Sequence, residues 1–216
     1  MNLEKIYAFR FQGISPEKKA AVWGPITRHI QSFMPKADII LDPCAGRCEF
    51  INHVQAKEVW AVDREESFLR SAIPGVKTVA GDIFHAPLPE NHFGGIFVSN
   101  FLEHLESAEQ AATFLRRMRT LLSPGGRLVI MGPNFKYCGP EYFDCIDHRL
   151  ILTERSVAEL LFSEDFELVK SHARYLPYSF RSRLPASEAL TGLYLKFPFA
   201  WKFLGKQFLL AAQKPG

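Results

Sequence analysis

From Asp38 onward, short runs rich in Val, Ile and Phe alternate with segments whose apolar residues return every three or four positions. Short apolar runs bounded by turn residues are the pattern of strands covered on both faces. Helix-period segments between them make the crossovers of a parallel sheet. The rhythm predicts an α/β fold with strands at 38–43, 58–63, 76–81, 94–99 and 126–132, then at 166–175 ("FELVKSHARY") and 207–213 ("QFLLAAQ").

The clearest helix follows Ser107, with Ala111, Phe114, Leu115, Met118, Leu121 and Leu122 at helical spacing. Ser107 and Gln110 stand at the two positions of a capping box, and "SPGG" at 123–126 predicts the helix end. Arg116, Arg117 and Arg119 fall mostly off the apolar face, which reads as a solvated outer surface rather than a nucleic-acid patch. A second helix is predicted from Thr153 through Val157, Leu160 and Leu161. Ahead of the first strand, "PEKKAAVWGPITRHIQSFM" sets Ala21, Val22, Ile26, Ile30 and Phe33 at mostly helical spacing, and Pro25 predicts a bend or restart. This part reads as a cap on the sheet.

With 47% hydrophobic and 23% charged residues, the 216-residue chain fits one well-cored domain. Lys196, Lys202 and Lys206 interrupt the most apolar stretch, and "MNLEKIYAFRF" lacks the apolar centre of a signal peptide. The expectation is a soluble, cytoplasmic protein. A net charge of +3 without clustering predicts no nucleic-acid partner. Cys44, Cys48, Cys138 and Cys145 form no CxxC pair and match no common zinc spacing, so they read as reduced thiols and no metal is expected.

The chemistry begins at "ILDPCAGRCEF", residues 40–50. A strand that stops at Asp42 and turns through Ala45 and Gly46 into a helix offers backbone N–H groups and a positive helix end to a ligand. A dinucleotide fingerprint needs glycine at 44, 46 and 49; the chain has Cys44, Gly46 and Glu49, and an acid facing a pyrophosphate repels it. A P-loop is excluded because no GK[ST] ending follows. Asp42 suits a ligand with a cationic group instead. Asp63 ends "VWAVD", where its carboxylate can accept both hydroxyls of a ribose, and "AGD" at 80–82 offers an acceptor to the amino group of adenine. A cation, a ribose and an adenine without phosphate describe S-adenosylmethionine.

Five motifs, in order, then resemble the class I S-adenosylmethionine-dependent methyltransferases: "LDPCAGRCEF", "VWAVD", "GDIFHAPLP", "FGGIFVSNFLEHL" and "LLSPGGRLVIMGPN". The resemblance covers roughly residues 38–135. It implies a Rossmann-like three-layer sandwich: a mostly parallel seven-stranded sheet with an antiparallel last strand and helices on both faces. It also implies one domain over 1–216, with a helical cap (1–37), a cofactor core (38–135) and an acceptor-side half (136–216). Cys44 and Cys48 replace the first and third glycines of the family's first motif, and Gly46 keeps the middle one. Cysteine takes a left-handed backbone at a cost of about 1–2 kcal/mol, so Gly46 is expected to carry any positive φ, with both cysteines in ordinary conformations.

By the same resemblance, S-adenosyl-L-methionine is the cofactor and S-adenosyl-L-homocysteine the product. Asp42 and the backbone of Cys44, Ala45 and Gly46 go to the methionine end, Asp63 to the ribose, Asp82 and Ile83 to adenine, and Asn100 to the methionine portion. Cys48, Phe50 and Phe101 complete the cofactor set, and Arg64 is placed either over the adenine or in solvent.

Methyl transfer needs a nucleophile held in line with the breaking bond, and a hydroxyl nucleophile also needs a base, for which histidine is suited. His104 in "NFLEHL" and His148 in "CIDHRLILT" are the two candidates, while His29, His53, His85, His92 and His172 read as surface or packing residues. No HExxH occurs, and "SNFLEH" stands where amino-methylating DNA enzymes of the family carry [ND]PP[YFW], so a small-molecule acceptor is expected.

Residues 176–205 form an interval too long for an ordinary connection, with seven aromatic residues and four basic ones against the single acid Glu188. The composition suits a lid over the substrate, peripheral contact with an anionic membrane, or a helical addition packed on the sheet. Leu193, Phe197 and Trp201 share a helix face only if Pro198 does not break the helix. Tyr137, Tyr142, Tyr178 and Arg181 are the substrate-side candidates. "DHRLILTERS", "YLPYSFRSRLP" and "LGKQFLLAAQKP" resemble bacterial methyltransferases of cell-surface polysaccharide and specialised-metabolite pathways. That likeness implies hydroxyl methylation of a sugar, a lipid-linked sugar or a metabolite. N-methylation and a catalytically inactive cofactor-binding partner are the alternatives. Oligomeric state is not legible.

Overall fold

The computed structural model of the protein describes residues 3–34, 37–177 and 187–216. Seven strands, β1 (Ile39–Asp42), β2 (Glu58–Asp63), β3 (Val76–Ala80), β4 (Phe93–Ser99), β5 (Leu122–Pro133), β6 (Glu167–His172) and β7 (Gln207–Gln213), make one sheet in the order β3-β2-β1-β4-β5-β7-β6. Strands β1 to β5 pair in parallel, and β7 runs antiparallel to both of its neighbours. This is the Rossmann-like sheet that the motifs implied.

Alternate residues of the central strands feed two cores. Ile96 and Val98 of β4, Leu128 and Ile130 of β5, and Phe208 and Leu210 of β7 pack with Phe114, Leu115, Met118 and Leu121 of helix α4 (Ala108–Leu121) and Val157 and Leu161 of α6 (Glu154–Ser163). Phe97, Val129, Met131, Leu209 and Ala211 face the other way, against Trp23, Ile26 and Ile30 of α2 (Pro16–Gln31), Leu195 of α7 (Glu188–Lys196) and Trp201 of α8 (Pro198–Leu204). Both faces of the sheet are therefore dry, which is why these strands read as continuous apolar runs. The remaining helices are short: α1 (Leu3–Arg10), α3 (Glu66–Leu69) and α5 (Phe135–Cys138).

Several local expectations are corrected. Helix α2 runs unbroken through Pro25; burial of Trp23, Ile26, Thr27 and Ile30 around it offsets the roughly 3 kcal/mol that a proline costs inside a helix. The Ser107 side chain caps α4 by accepting from Gln110 N–H, but the Gln110 side chain accepts from Glu106 N–H rather than the cap residue's own, so half the capping box is displaced by one residue. Helix α4 ends at Leu121, directly before "SPGG" as expected, but "SPGG" itself lies inside β5, which begins at Leu122 rather than at 126, and Gly125 takes φ +74 where the register against β4 shifts. Phe197 separates α7 from α8, and Pro198 opens α8, so Leu193, Phe197 and Trp201 do not share one helix. Only Trp201 of the three is buried.

The strand order reverses between β1 and β4, and in open parallel sheets the crevice at the carboxyl ends of the strands on either side of such a reversal is where ligands bind.

Candidate active site

A cleft of about 660 Å³ opens at that reversal. Asp42, Cys44, Ala45, Gly46 and Phe50 from the β1 loop line it, with Asp63 and Arg64 after β2, Asp82 and Ile83 after β3, and Asn100, Phe101 and His104 after β4. Residues far apart in sequence converge here because parallel strands all deliver their carboxyl ends to one edge.

The loop is built around Asp63. Its carboxylate accepts from Gly46 N–H at 2.7 Å and from Glu65 N–H at 2.9 Å, which ties the β1 loop to the end of β2. Ala45 N–H donates to the Val62 carbonyl at 2.9 Å and Cys48 N–H to the Ala45 carbonyl at 2.8 Å, closing a tight turn. Gly46 takes φ +51 in that turn as expected, but so does Cys48, at φ +61. The expectation of an ordinary Cys48 is thus wrong. The turn requires the left-handed conformation at both positions, and at 48 a small apolar side chain, wholly buried in the same core as Phe50, Ile51 and Phe97, occupies the place of glycine. Cys48 consequently does not reach the cleft wall, whereas Cys44 does. Burial raises the pKa of both thiols, that of Cys48 to about 12, and keeps them protonated.

The cofactor half of the cleft is acidic. Burial raises the Asp42 carboxyl well above its ordinary range against the opposing hydrogen bond from Cys44 N–H, and Asp63 and Glu49 push it further up. Asp63 is also raised, by burial and by Glu65, against the hydrogen bonds it accepts. Carboxylates whose ionisation is resisted by burial and by one another gain from a cation placed between them. Asp82 accepts from Phe84 N–H at 3.1 Å, and Arg64 lies 4.0 Å from its carboxylate with a largely solvated side chain. Asn100 stands at φ +48, with its N–H donated to the Met131 carbonyl.

Opposite this wall, α1 lies across the mouth. Tyr7 packs on Phe68, ring centroids 5.1 Å apart, Phe11 lines the cleft, and Lys19 of α2 pairs with Glu49 at 2.7 Å. Arg10 is ion-paired with Asp147. Burial pushes Asp147 up, but the Arg10 hydrogen bond and the nearby His104 outweigh it, leaving the carboxyl below its usual range. His104 Nδ1 is 3.1 Å from the Asp147 carbonyl, an oxygen that only accepts, so Nδ1 carries the proton and a neutral His104 holds its lone pair on Nε2. His148 stands behind, its ring centroid 5.0 Å from that of His104. Burial, and then His104, push its pKa down to about 4.

Residues 41–130 match the family described as a methyltransferase domain. That segment is a methyltransferase domain, and the motifs and sheet order of the chain are similar to those of the class I S-adenosylmethionine-dependent methyltransferases. Among solved structures, a methyltransferase of this cofactor from Archaeoglobus fulgidus superposes with a TM-score of 0.69 at 18% identity, over 99% of this chain and 100% of that one. One from Thermotoga maritima, described as a possible histamine N-methyltransferase, gives 0.70 at 14% identity over 98% and 95%. The N-methyltransferase NodS from Bradyrhizobium japonicum gives 0.60 at 16% over 88% and 95%. At such identities these likenesses speak to the fold. No match was found among curated proteins.

S-adenosylmethionine is the cofactor of this methyltransferase, and the residues suit it: buried carboxylates face a ligand that carries a sulfonium and an ammonium. The substrate-side candidates are not brought together. Tyr142 is wholly buried, its hydroxyl donated to the Leu150 carbonyl, and Tyr137 lies under Arg174 at 4.6 Å; neither lines the cleft. Tyr178 and Arg181 lie outside the described residues. Sequence reading missed Tyr7 and Phe11, which line the cleft, and Arg10, which pairs with Asp147 at its edge. The signal for the lid was present in "IYAFRF", where aromatics at positions 7 and 11 fall on one helical face beside a basic residue.

Proposed function

We propose that the enzyme moves the methyl group of S-adenosylmethionine to a hydroxyl of a small molecule: a sugar, a lipid-linked sugar or a specialised metabolite. Asp42, with the backbone at Cys44, Ala45 and Gly46, takes the methionine end. Asp63 takes the ribose, and Asp82 with Ile83 the adenine. Asn100 and Phe101 flank the methionine portion, and Phe50 packs behind it. Of the two histidine candidates, His104, which lines the cleft, deprotonates the acceptor, and His148 stands behind it. The observation that carries this reading is the His104–Asp147 contact, which aims a basic nitrogen away from the backbone at the place where α1 closes the cleft. An amine acceptor needs no such group, although two of the structural relatives are described as N-methyltransferases.

One observation favours an acceptor held at a membrane. Phe197, Phe199 and Phe203 are 59%, 67% and 66% exposed around α8, and Lys196 and Lys202 lie among them. Aromatic rings with flanking lysines suit the headgroup layer of an anionic bilayer. No helix among the described residues is long and apolar enough to cross one. The test is methyl transfer from isotope-labelled cofactor to panels of sugars, lipid-linked sugars and phenolic metabolites, with amines in parallel. Label in an ether product supports the reading. Label only in amines refutes the hydroxyl assignment, and turnover indifferent to anionic liposomes refutes the membrane one.

A further inference from the structure

Behind the cleft, Glu103, His104 and His148 each offer a donor atom, and these atoms all lie within 4.8 Å of one another. The 3-10 turn Leu102–His104 after β4 supplies the first two, and the segment after α5 supplies the third. The Glu103 carbonyl binds the two together by accepting from Arg149 N–H at 2.7 Å and Leu150 N–H at 3.1 Å. We propose that these three side chains form a site for a divalent transition-metal cation bordering the acceptor side of the cleft.

Three features of the cluster point to a cation. Glu103 is only 1% exposed, and among the described residues no Lys or Arg forms an ion pair with it. A carboxylate so placed is costly unless a positive charge joins it. His148 Nδ1 is buried with no hydrogen-bond partner, an orphan that a ligand would satisfy. His104 already has the outer contact that metal-binding histidines use: its Nδ1 proton goes to the Asp147 carbonyl, which leaves Nε2 as the donor.

Two imidazoles and one carboxylate suit zinc, manganese, iron or cobalt better than magnesium or calcium, which prefer all-oxygen sets. Bonds of about 2.0–2.2 Å put neighbouring donors about 3–3.5 Å apart, so donors up to 4.8 Å apart close by up to about 1.3–1.8 Å on binding. A second grouping, Cys145, Asp147 and His148, shares one ligand with the first, but its Asp147 carboxylate is engaged by Arg10.

With the cation bound, His104 and His148 would serve as its ligands and the metal would take over the acidification of the hydroxyl that the proposed function gives to His104; this use, though not the site's existence, rests on that reading. A three-ligand site keeps open positions, and a hydroxyl bound there loses its proton more readily. The O–H proton passes to solvent, the O–CH3 bond forms as the S–CH3 bond breaks, and the electron pair of the broken bond stays on sulfur. The metal keeps its oxidation state. The acceptor class is thereby narrowed to hydroxyls able to ligate a metal, above all those with a neighbouring oxygen.

The test is titration of the tag-free, chelator-stripped full chain with Co²⁺, followed by calorimetry and by visible absorption. One equivalent should bind and give the spectrum of a nitrogen–oxygen donor set. Glu103→Gln and His148→Gln should each weaken it at least about tenfold. His148 is itself only half-buried, which makes His148→Gln the informative variant should Glu103→Gln fail to fold. Absence of binding, equal binding in His148→Gln, or loss in Cys145→Ser with retention in Glu103→Gln would overturn the site. S-adenosylmethionine is titrated into the same samples. Cofactor binding without cobalt refutes the metal alone, and cobalt binding without cofactor refutes the methyltransferase reading alone.

Discussion

Replacing Cys48 by glycine and by alanine separates the cost of its backbone from the value of its side chain. At φ +61 a residue with a Cβ bears about 1–2 kcal/mol, which glycine relieves. The side chain is wholly buried, so removing its sulfur in Cys48→Ala forfeits on the order of 1 kcal/mol while the backbone cost remains. In an ordinary conformation glycine is the worse residue, by about 0.5–1 kcal/mol relative to alanine. At position 48 the order inverts: Cys48→Gly should stand about 1 kcal/mol above Cys48→Ala and within about 1 kcal/mol of the natural protein. Urea denaturation measures this directly, with an unchanged slope showing that only stability moved. In a chain of this size the difference is about 2–4 °C of melting temperature. Should Cys48→Ala prove the more stable of the two, the left-handed assignment of Cys48 is refuted, and with it the account of the loop as a glycine turn filled by cysteine.

The contributions of His29 and His172 to stability should fall as pH drops from 7 to 5, against the opposite trend of the raised Asp42 and Asp63 carboxyls. His29 and His172 both have folded pKa values below their ordinary 6.5, through burial first and then through His172 and Lys170 respectively. The unfolded chain then binds more protons in that window, and stability present above pH 6.5 is lost below it. His29→Gln should flatten the pH dependence of the melting temperature, and an unchanged slope contradicts the assignment. Arg10→Ala should destabilise the fold by about 1–3 kcal/mol, because Asp147, only 9% exposed, loses its cation. It should also make α1 more sensitive to limited proteolysis; cleavage at the natural rate would show that the ion pair does not hold the lid.

The sheet was legible because its central strands are buried on both faces and so wear their identity as apolar runs, whereas the outer strands β3 and β6 are largely exposed. The site was half legible for the same topological reason: Asp42, Asp63 and Asp82 end successive parallel strands, and strand ends share an edge. What escaped reading depends on contacts that no local pattern carries. Arg10 meets a residue 137 positions away, and α1 is too short for periodicity to mark it as a lid. Glu103 sits in "FLEHL" as an apparently solvated acid, yet is among the most buried carboxylates. Pro25 misled because local propensity was overruled by packing against α2's neighbours, and the start of β5 was set too late because pairing of Leu122 with β4 carries "SPGG" into the strand.

The central claim is a cofactor cleft anchored on Asp63, whose carboxylate holds both Gly46 and Glu65. Calorimetric titration of the folded, ligand-free protein with S-adenosylmethionine, beside Asp63→Ala checked for folding by circular dichroism, tests it most directly. Binding on the order of micromolar in the natural protein, weakened about tenfold to a hundredfold in the variant, is the expected result. No binding to the natural protein would contradict the account, and undiminished binding to Asp63→Ala would remove the anchor on which it is built.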